Sequence, residues 1–283
     1  MIPDISIIIV TYKERLDVLK ACFDSATSSR NVRFEVIVVD NGASDTTRGL
    51  LSSYPDMKYI RNEENRGFAA AVNQGIRMSR GRYILLLNPD TSFDADILAK
   101  MISHLDEDDD VGIASCVIRY PDGRLQESIR RFPGLSDQLI TLFKVPHFVK
   151  NIPAIDRYMM RDVDPMETRD VDSIMGAFMF IRRDLIDEIG MFDPRYFIWF
   201  EEVDYCRVAH GAGWKIRHYA DTEITHHKGH MFDKIATARK QKWIRTSLRK
   251  YMRKHHGRLP WIMLWVLTPL FVLLGWIAAA IKK

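Results

Sequence analysis

Uninterrupted apolar runs alternate with amphipathic stretches through the first 117 residues. Ile5-Ser6-Ile7-Ile8-Ile9-Val10, Phe34-Glu35-Val36-Ile37-Val38-Val39 and Tyr83-Ile84-Leu85-Leu86-Leu87 carry too little polarity for strands with one wet face. Each is therefore predicted as a strand covered on both sides of an α/β sheet, the last spanning 82–87. Residues 57–61 and 111–117 add a short third strand and a fifth. Between them, residues 15–28 place Leu16, Leu19 and Phe23 on one side of a helix. Ser44 or Asp45 caps a second helix running to Ser53. Residues 67–79 form a helix rich in small residues (Ala69, Ala70, Ala71), able to pack close to a sheet, and 94–105 form the next. Repeated β-α units of this size predict right-handed crossovers and a largely parallel sheet with helices on both faces.

The periodicity fades after Tyr120. Pro121-Asp122-Gly123 is a turn signal within a hairpin. Residues 128–170 mix Arg, Phe, Met and Pro with weak periodicity, which predicts a mobile loop or lip beside a site. Order returns with the buried strand Gly176-Ala177-Phe178-Met179-Phe180-Ile181. A helix over 204–212 and strands over 214–219 and 222–225 follow, ending at His226.

Composition changes this picture mainly at the C-terminus. From Arg239 onward there are 11 Lys/Arg and no Asp/Glu, leaving residues 1–238 with 30 basic against 37 acidic residues. The basic stretch leads into residues 259–281, which carry no charge, with Trp261, Trp265 and Trp276 towards their ends. Twenty-three residues at about 1.5 Å each are enough to cross a hydrocarbon core of about 30 Å. Basic residues cluster on the cytoplasmic side of such segments and attract anionic headgroups, so lipid rather than nucleic acid is the expected partner. Attachment to the cell membrane is predicted, with the large domain cytoplasmic. Pro269 and Gly275 also allow the segment to kink, re-enter or lie in one leaflet. The predicted division is a catalytic domain at 1–232, a basic juxtamembrane helix or linker at 233–258 and a hydrophobic segment at 259–281. Cys22, Cys116 and Cys206 are scattered, which fits a reducing compartment. No signal peptide is read at the start, residues 5–10 being too short for one.

Candidate chemistry gathers where predicted strands end, the place where α/β sheets bind ligands. Thr11-Tyr12, with Glu14 beyond, follows the first strand. Asp40-Asn41 follows the second, where a carboxylate can accept from a base N–H or a ribose hydroxyl. Asn65-Arg66-Gly67 opens a helix, where a backbone N–H and an arginine can meet phosphate. Asn88-Pro89-Asp90 follows the fourth strand and aims a carboxylate at a divalent cation carrying phosphate oxygens. Glu201-Glu202-Val203-Asp204 precedes His226 by a helix and a strand. Asp40-Asn41-Gly42 and Asn88-Pro89-Asp90 are also ordinary turn chemistry, and acids suit the first turn of any helix. The histidines of 226–230 lack the cysteine or HExxH company of a zinc site.

Taken in order, Thr11-Tyr12, Val39-Asp40-Asn41, Asn65-Arg66-Gly67-Phe68-Ala69-Ala70, Leu87-Asn88-Pro89-Asp90, Gly176-Ala177-Phe178-Met179 and Phe200-Glu201-Glu202-Val203-Asp204 resemble the family 2 glycosyltransferases. Among them the chain is similar to bacterial rhamnosyltransferases acting on polyprenyl-diphosphate-linked sugars, over residues 5–230. The resemblance implies a GT-A fold, a dTDP- or UDP-linked sugar donor, Mg2+ or Mn2+, a polyprenyl-diphosphate-linked saccharide acceptor and inversion at the anomeric carbon. It puts Thr11 and Asp40 on the nucleoside, with Tyr12, Glu14, Asn65, Arg66 and Gly67 in the same donor site. Asp90 falls on the metal, Asn88 replaces the first acid of the family's Asp-x-Asp, and His226 falls where some relatives supply a further metal ligand. Gly176 and Ala177 fall on the acceptor side. Glu202 stands where the family usually has the aspartate base, with Glu201 and Asp204 as alternatives. The Gln-x-x-Arg-Trp motif of processive synthases is missing, which implies transfer of one sugar or very few. Two rivals remain: a sugar nucleotidyltransferase, disfavoured because Thr11-Tyr12-Lys13-Glu14-Arg15 has no glycine, and a non-catalytic membrane-bound scaffold of the same fold.

Overall fold

In the computed structural model, residues 2–227 and 237–281 are described. Lys228, Gly229 and His230 of the histidine-rich stretch lie outside them, as does the expected boundary at 232. The first half follows the apolar pattern closely: β1 (Ile5–Thr11), α1 (Leu16–Thr27), β2 (Phe34–Asp40), α2 (Asp45–Leu51), β3 (Lys58–Arg61), α3 (Phe68–Met78), β4 (Tyr83–Leu87), β5 (Thr91–Ser92), α4 (Ile97–Glu107) and β6 (Val111–Arg119). Alternation along each strand decides which face a side chain serves. Ile5, Ile7 and Ile9 of β1 pack with Leu19 and Phe23 of α1 and Met101 of α4. Ile8 and Val10 pack on the opposite face with Val72 and Ile76 of α3. Leu16, expected on the packed side of α1, is 53% exposed instead.

The predicted hairpin is present, with Tyr120 N–H donating to Arg124 O across the turn. Residues 128–170 depart from expectation: they hold β7 (Ile129–Arg130), α5 (Leu135–Leu142) and α6 (Pro153–Tyr158), ending near β8 (Arg169–Asp170). The chain continues through β9 (Ser173–Ile174), β10 (Phe178–Arg182), α7 (Arg183–Ile189), α8 (Glu201–Gly211) and β11 (Lys215–His226). Helix α8 begins at Glu201, three residues before the predicted start, and the two expected strands at 214–225 are one strand with a bulge between Tyr219 and Glu223.

The sheet runs β3-β2-β1-β4-β10-β6-β11-β5. It is mixed, not largely parallel. β1 is parallel to β2 and β4, but β10 lies antiparallel between β4 and β6, and β5 is antiparallel to β11. An apolar run reports burial on two faces and says nothing of direction. Direction comes from the connection, and the path from β6 to β10 is a long excursion rather than a simple crossover helix.

The C-terminal segment also differs from a single span. Helix α9 (Thr237–His255) is followed by α10 (Arg258–Val266) and α11 (Thr268–Ile281). The latter two meet at a 47° bend, and no single helix among the described residues is long and apolar enough to cross a membrane. Pro269 sits in the first turn of α11, where its missing N–H costs nothing. Leu248, Tyr251 and Met252 of α9, Leu264 of α10 and Phe271 of α11 form a third apolar cluster with Leu142, Tyr196, Phe200 and Val203 of the body.

Candidate functional site

One cavity of about 500 Å³ opens at the carboxyl ends of β1, β2 and β4. Backbone geometry builds its first wall. Asn41, directly after β2, accepts from Asn62 Nδ2 at 3.1 Å and Arg66 N at 3.0 Å, and donates to Asn65 Oδ1 at 3.0 Å. This amide network holds the Asn65-Arg66-Gly67 turn against the end of β2. Gly67 has φ +85°, and a Cβ there would stand 2.7 Å from Phe197 O, so only glycine fits. Phe68 N–H then donates to the same carbonyl at 2.7 Å, bringing residues 67–68 up to the segment before α8. Gly42 serves a similar end: the Tyr12 ring lies where its Cβ would be. Tyr12, Glu14, Asn41, Asn65 and Phe68 line the cavity here.

The sheet ends build the second wall. Antiparallel pairing of β5 with β11 sets His226 opposite Thr91, next to Asp90. His226 Nε2 and Asp90 Oδ1 are 3.2 Å apart, and Asn88 Nδ2 is 3.4 Å from the same ring nitrogen. The Gln126 amide donates to His226 O at 2.6 Å and Arg119 O at 3.3 Å, so its Oε1 accepts from His226 Nδ1 at 2.9 Å. With Nδ1 engaged by Gln126, Nε2 is the ring nitrogen that faces the Asp90 carboxylate. A carboxylate oxygen and an imidazole nitrogen at this spacing can share a proton as an ion pair or serve together as ligands to a divalent cation. Among the described residues no group of three or more His, Cys, Asp or Glu gathers to cage a metal.

The third wall carries the acids. Trp199 and Phe200 have φ of +61° and +69°, a strained entry to α8. Glu201 and Glu202 follow, both lining the cavity. Among the described residues each leaves one buried carboxylate oxygen without a hydrogen-bond donor. Burial raises the pKa of both, and the charge on Glu202 pushes Glu201 well above the usual carboxylate range. Arg130 partly offsets the burial of Glu202. Gly176 lies against Glu202, a Cβ built there reaching its side chain at 3.7 Å. The next residue, Ala177, accepts at its carbonyl from Asn88 N at 2.9 Å. The dipeptide Gly176-Ala177 thus joins the Asn88-Pro89-Asp90 turn to Glu202.

Several residues expected at the site stand elsewhere. Asp40 is fully buried; its carboxylate accepts from Gly42 N at 3.2 Å, Ser44 N at 2.8 Å and Tyr59 Oη at 2.9 Å. It organises the turn behind the wall and is not among the lining residues. Thr11 is buried too and does not line the cavity, and the Arg66 side chain is exposed outside it. Asp204, the other acid expected at the site, is buried and does not line the cavity. It receives Lys254 Nζ and His255 Nε2 at 2.7 Å and Tyr196 Oη at 3.2 Å, clamping α9 to α8. Sequence reasoning missed Arg130, Gln138, Tyr158 and Trp243, which complete the lining from the aperiodic segment and from α9. The signal for Arg130 and Tyr158 was Arg and aromatic residues in a stretch with no helical or strand period; Gln138 and Trp243 carried none.

The fold and this cavity define a GT-A glycosyltransferase. The chain belongs to glycosyl transferase family 2, whose model matches residues 6–190. It is similar to the N-acetylglucosaminyl-diphospho-decaprenol L-rhamnosyltransferase of Mycobacterium tuberculosis, 27% identical over 207 residues that cover 69% of this chain and 67% of that protein. Similarity to the rhamnosyltransferase WbbL of Escherichia coli K12 is 26% over 255 residues, covering 88% and 92%. Among solved structures, the mannosyltransferase PcManGT of Pyrobaculum calidifontis, in complex with GDP-Man and Mn2+, superposes with a TM-score of 0.62 at 18% identity, over 99% of this chain and 75% of that one.

Proposed function

We propose that the chain transfers a single rhamnose, with inversion, from a dTDP-linked donor to a polyprenyl-diphosphate-linked saccharide at the cytoplasmic membrane face. The observation that carries this reading is the junction at Gly176-Ala177, which joins the Asn88-Pro89-Asp90 turn to Glu202, so that Asp90, His226 and Glu202 line a single cavity. The names of the bacterial relatives support the sugar and the acceptor class.

The donor nucleoside lies along Tyr12, Glu14, Asn41 and Asn65, its diphosphate towards Asp90. Asp90 and His226 would hold Mg2+ or Mn2+, with Asn88 as a neutral neighbour. When bound, the cation supplies charge stabilisation for the departing nucleoside diphosphate. Glu202 takes the proton of the acceptor hydroxyl as its oxygen attacks the anomeric carbon from the face opposite the diphosphate. The C–O bond to phosphate breaks as the new glycosidic bond forms, and a single displacement inverts. Burial and the neighbouring Glu202 carboxylate favour the protonated form of Glu201, which draws the pair towards one negative charge rather than two.

A panel of nucleotide sugars, with a polyprenyl-diphosphate-linked amino sugar as acceptor, tests this reading. The expected result is metal-dependent release of nucleoside diphosphate from the dTDP-rhamnose reaction, with inverted configuration at C1 by NMR. Chelation should abolish turnover and Mn2+ restore it. Release of inorganic diphosphate, or product of retained configuration, contradicts the reading.

A further inference from the structure

We propose that the C-terminal helices form an in-plane docking surface for an anionic phospholipid bilayer, entering one leaflet without crossing it. The proposal deepens the membrane-face reading above and rests on it. Its basis is where the apolar segment is held. Leu264 and Phe271 are buried in the third apolar cluster, and the Phe143 and Phe271 rings meet edge to face with centroids 5.0 Å apart. The chain is therefore still fixed to the body at residue 271. Beyond that point the uncharged stretch runs only from residue 272 to 281, where Lys282 and Lys283 follow. Ten helical residues span about 15 Å, roughly half of a hydrocarbon core of about 30 Å. The 47° bend before α11 prevents α10 from adding its length in line.

The outer face of the same helices is apolar and uncovered. Leu259 and Val266 are 77% and 71% exposed, and Trp265, Leu270 and Leu273 are exposed beside them. Positive charge borders this face. Arg249 stacks over the Trp265 ring at 4.1 Å and Arg253 over Trp261 at 5.4 Å. Guanidinium on tryptophan, with apolar side chains on one side and charge on the other, suits the headgroup boundary. Arg245 is half-buried, its pKa lowered by that burial alone, and has no carboxylate partner among the described residues. Residues 239–258 contain nine Lys/Arg and no acid, so an anionic surface is the complementary one. Because Trp243 and Ile244 of α9 also line the cavity, docking sets the cavity beside the leaflet.

The test binds the 283-residue chain to sealed vesicles of phosphatidylcholine with or without phosphatidylglycerol. An NBD fluorophore is attached at Lys283→Cys or, in a second preparation, at Asp56→Cys; the native cysteines are buried and spared. Sedimentation with anionic vesicles should exceed that with neutral ones by about tenfold or more, and the triple variant Arg245→Gln, Arg249→Gln, Arg253→Gln should lose about that factor. Dithionite added outside should quench both positions to the same extent. Protection of position 283 while position 56 is quenched means the segment crosses, and overturns the proposal. A dimer in solution that ignores anionic vesicles also overturns it, since a second copy then covers the face. No sugar transfer is measured, so failure here leaves the catalytic reading standing.

Discussion

Glu201 and Glu202 share one buried corner, and their raised pKa values make opposite demands on pH. A base must be ionised, so turnover should rise with pH through a value above the ordinary 4.5 of glutamate. The acid limb of kcat/KM measures this. Stability runs the other way. A glutamate whose folded pKa is raised holds more protons folded than unfolded, so its contribution is complete below about 4.5 and lost as pH rises through the folded value. Glu201→Gln mimics the protonated acid, and its Tm should exceed that of the parent at pH 8 while matching it near pH 4. Equal Tm differences at both pH values would remove the proton from Glu201. Gly67 makes a third demand at this scale. Gly67→Ala places a methyl against Phe197 O at positive φ and should cost about 1–3 kcal/mol in denaturant unfolding.

At the scale of elements, α9 does more than lead to the hydrophobic segment. Ser247 Oγ donates to Ile198 O at 2.8 Å and Lys250 Nζ to Arg195 O, holding the strained approach to Glu201. Asp204, with its side chain 4% exposed, is the anchor on the other side. Asp204→Ala leaves His255 without its carboxylate and Lys254 with only Asp193 at 4.0 Å, and should cost about 2–4 kcal/mol of stability. Calorimetry of the variant checks this, and a loss below about 1 kcal/mol would reduce the clamp to a surface contact. Asp40 and Asp204 also show where sequence reading stops. A carboxylate at a strand end or in a first helical turn looks the same whether it faces a cavity or satisfies Ser44 N or Lys254. The strands β1, β2, β4 and β10 were legible because burial on both faces leaves runs without polar interruption. The direction of β10 was not, because nothing within its five residues depends on it. Arg130, Tyr158 and Trp243 were hidden for another reason: they reach the cavity from segments whose contacts lie far away along the chain.

The whole molecule combines an acidic body, a mixed sheet with chemistry at one edge, and a basic, apolar C-terminal flank. The cavity lies between that flank and the strand ends, lined from both. Tyr158, Trp199 and Trp243 come from three separate stretches, so the cavity exists only when the segment after β6, the entry to α8 and α9 are all in place. His226→Ala should raise the Mn2+ concentration for half-maximal turnover by about tenfold or more, read by metal titration of the purified enzyme. The most direct measurement of the central claim compares sugar-transfer kcat for Glu202→Gln and Asp204→Asn against the parent under identical conditions, each with its Tm. With Glu202 as the base, kcat falls about 10²–10⁴-fold in Glu202→Gln with Tm retained, while Asp204→Asn loses Tm and keeps turnover in its folded fraction. Full turnover in Glu202→Gln, with loss in folded Asp204→Asn, would contradict it.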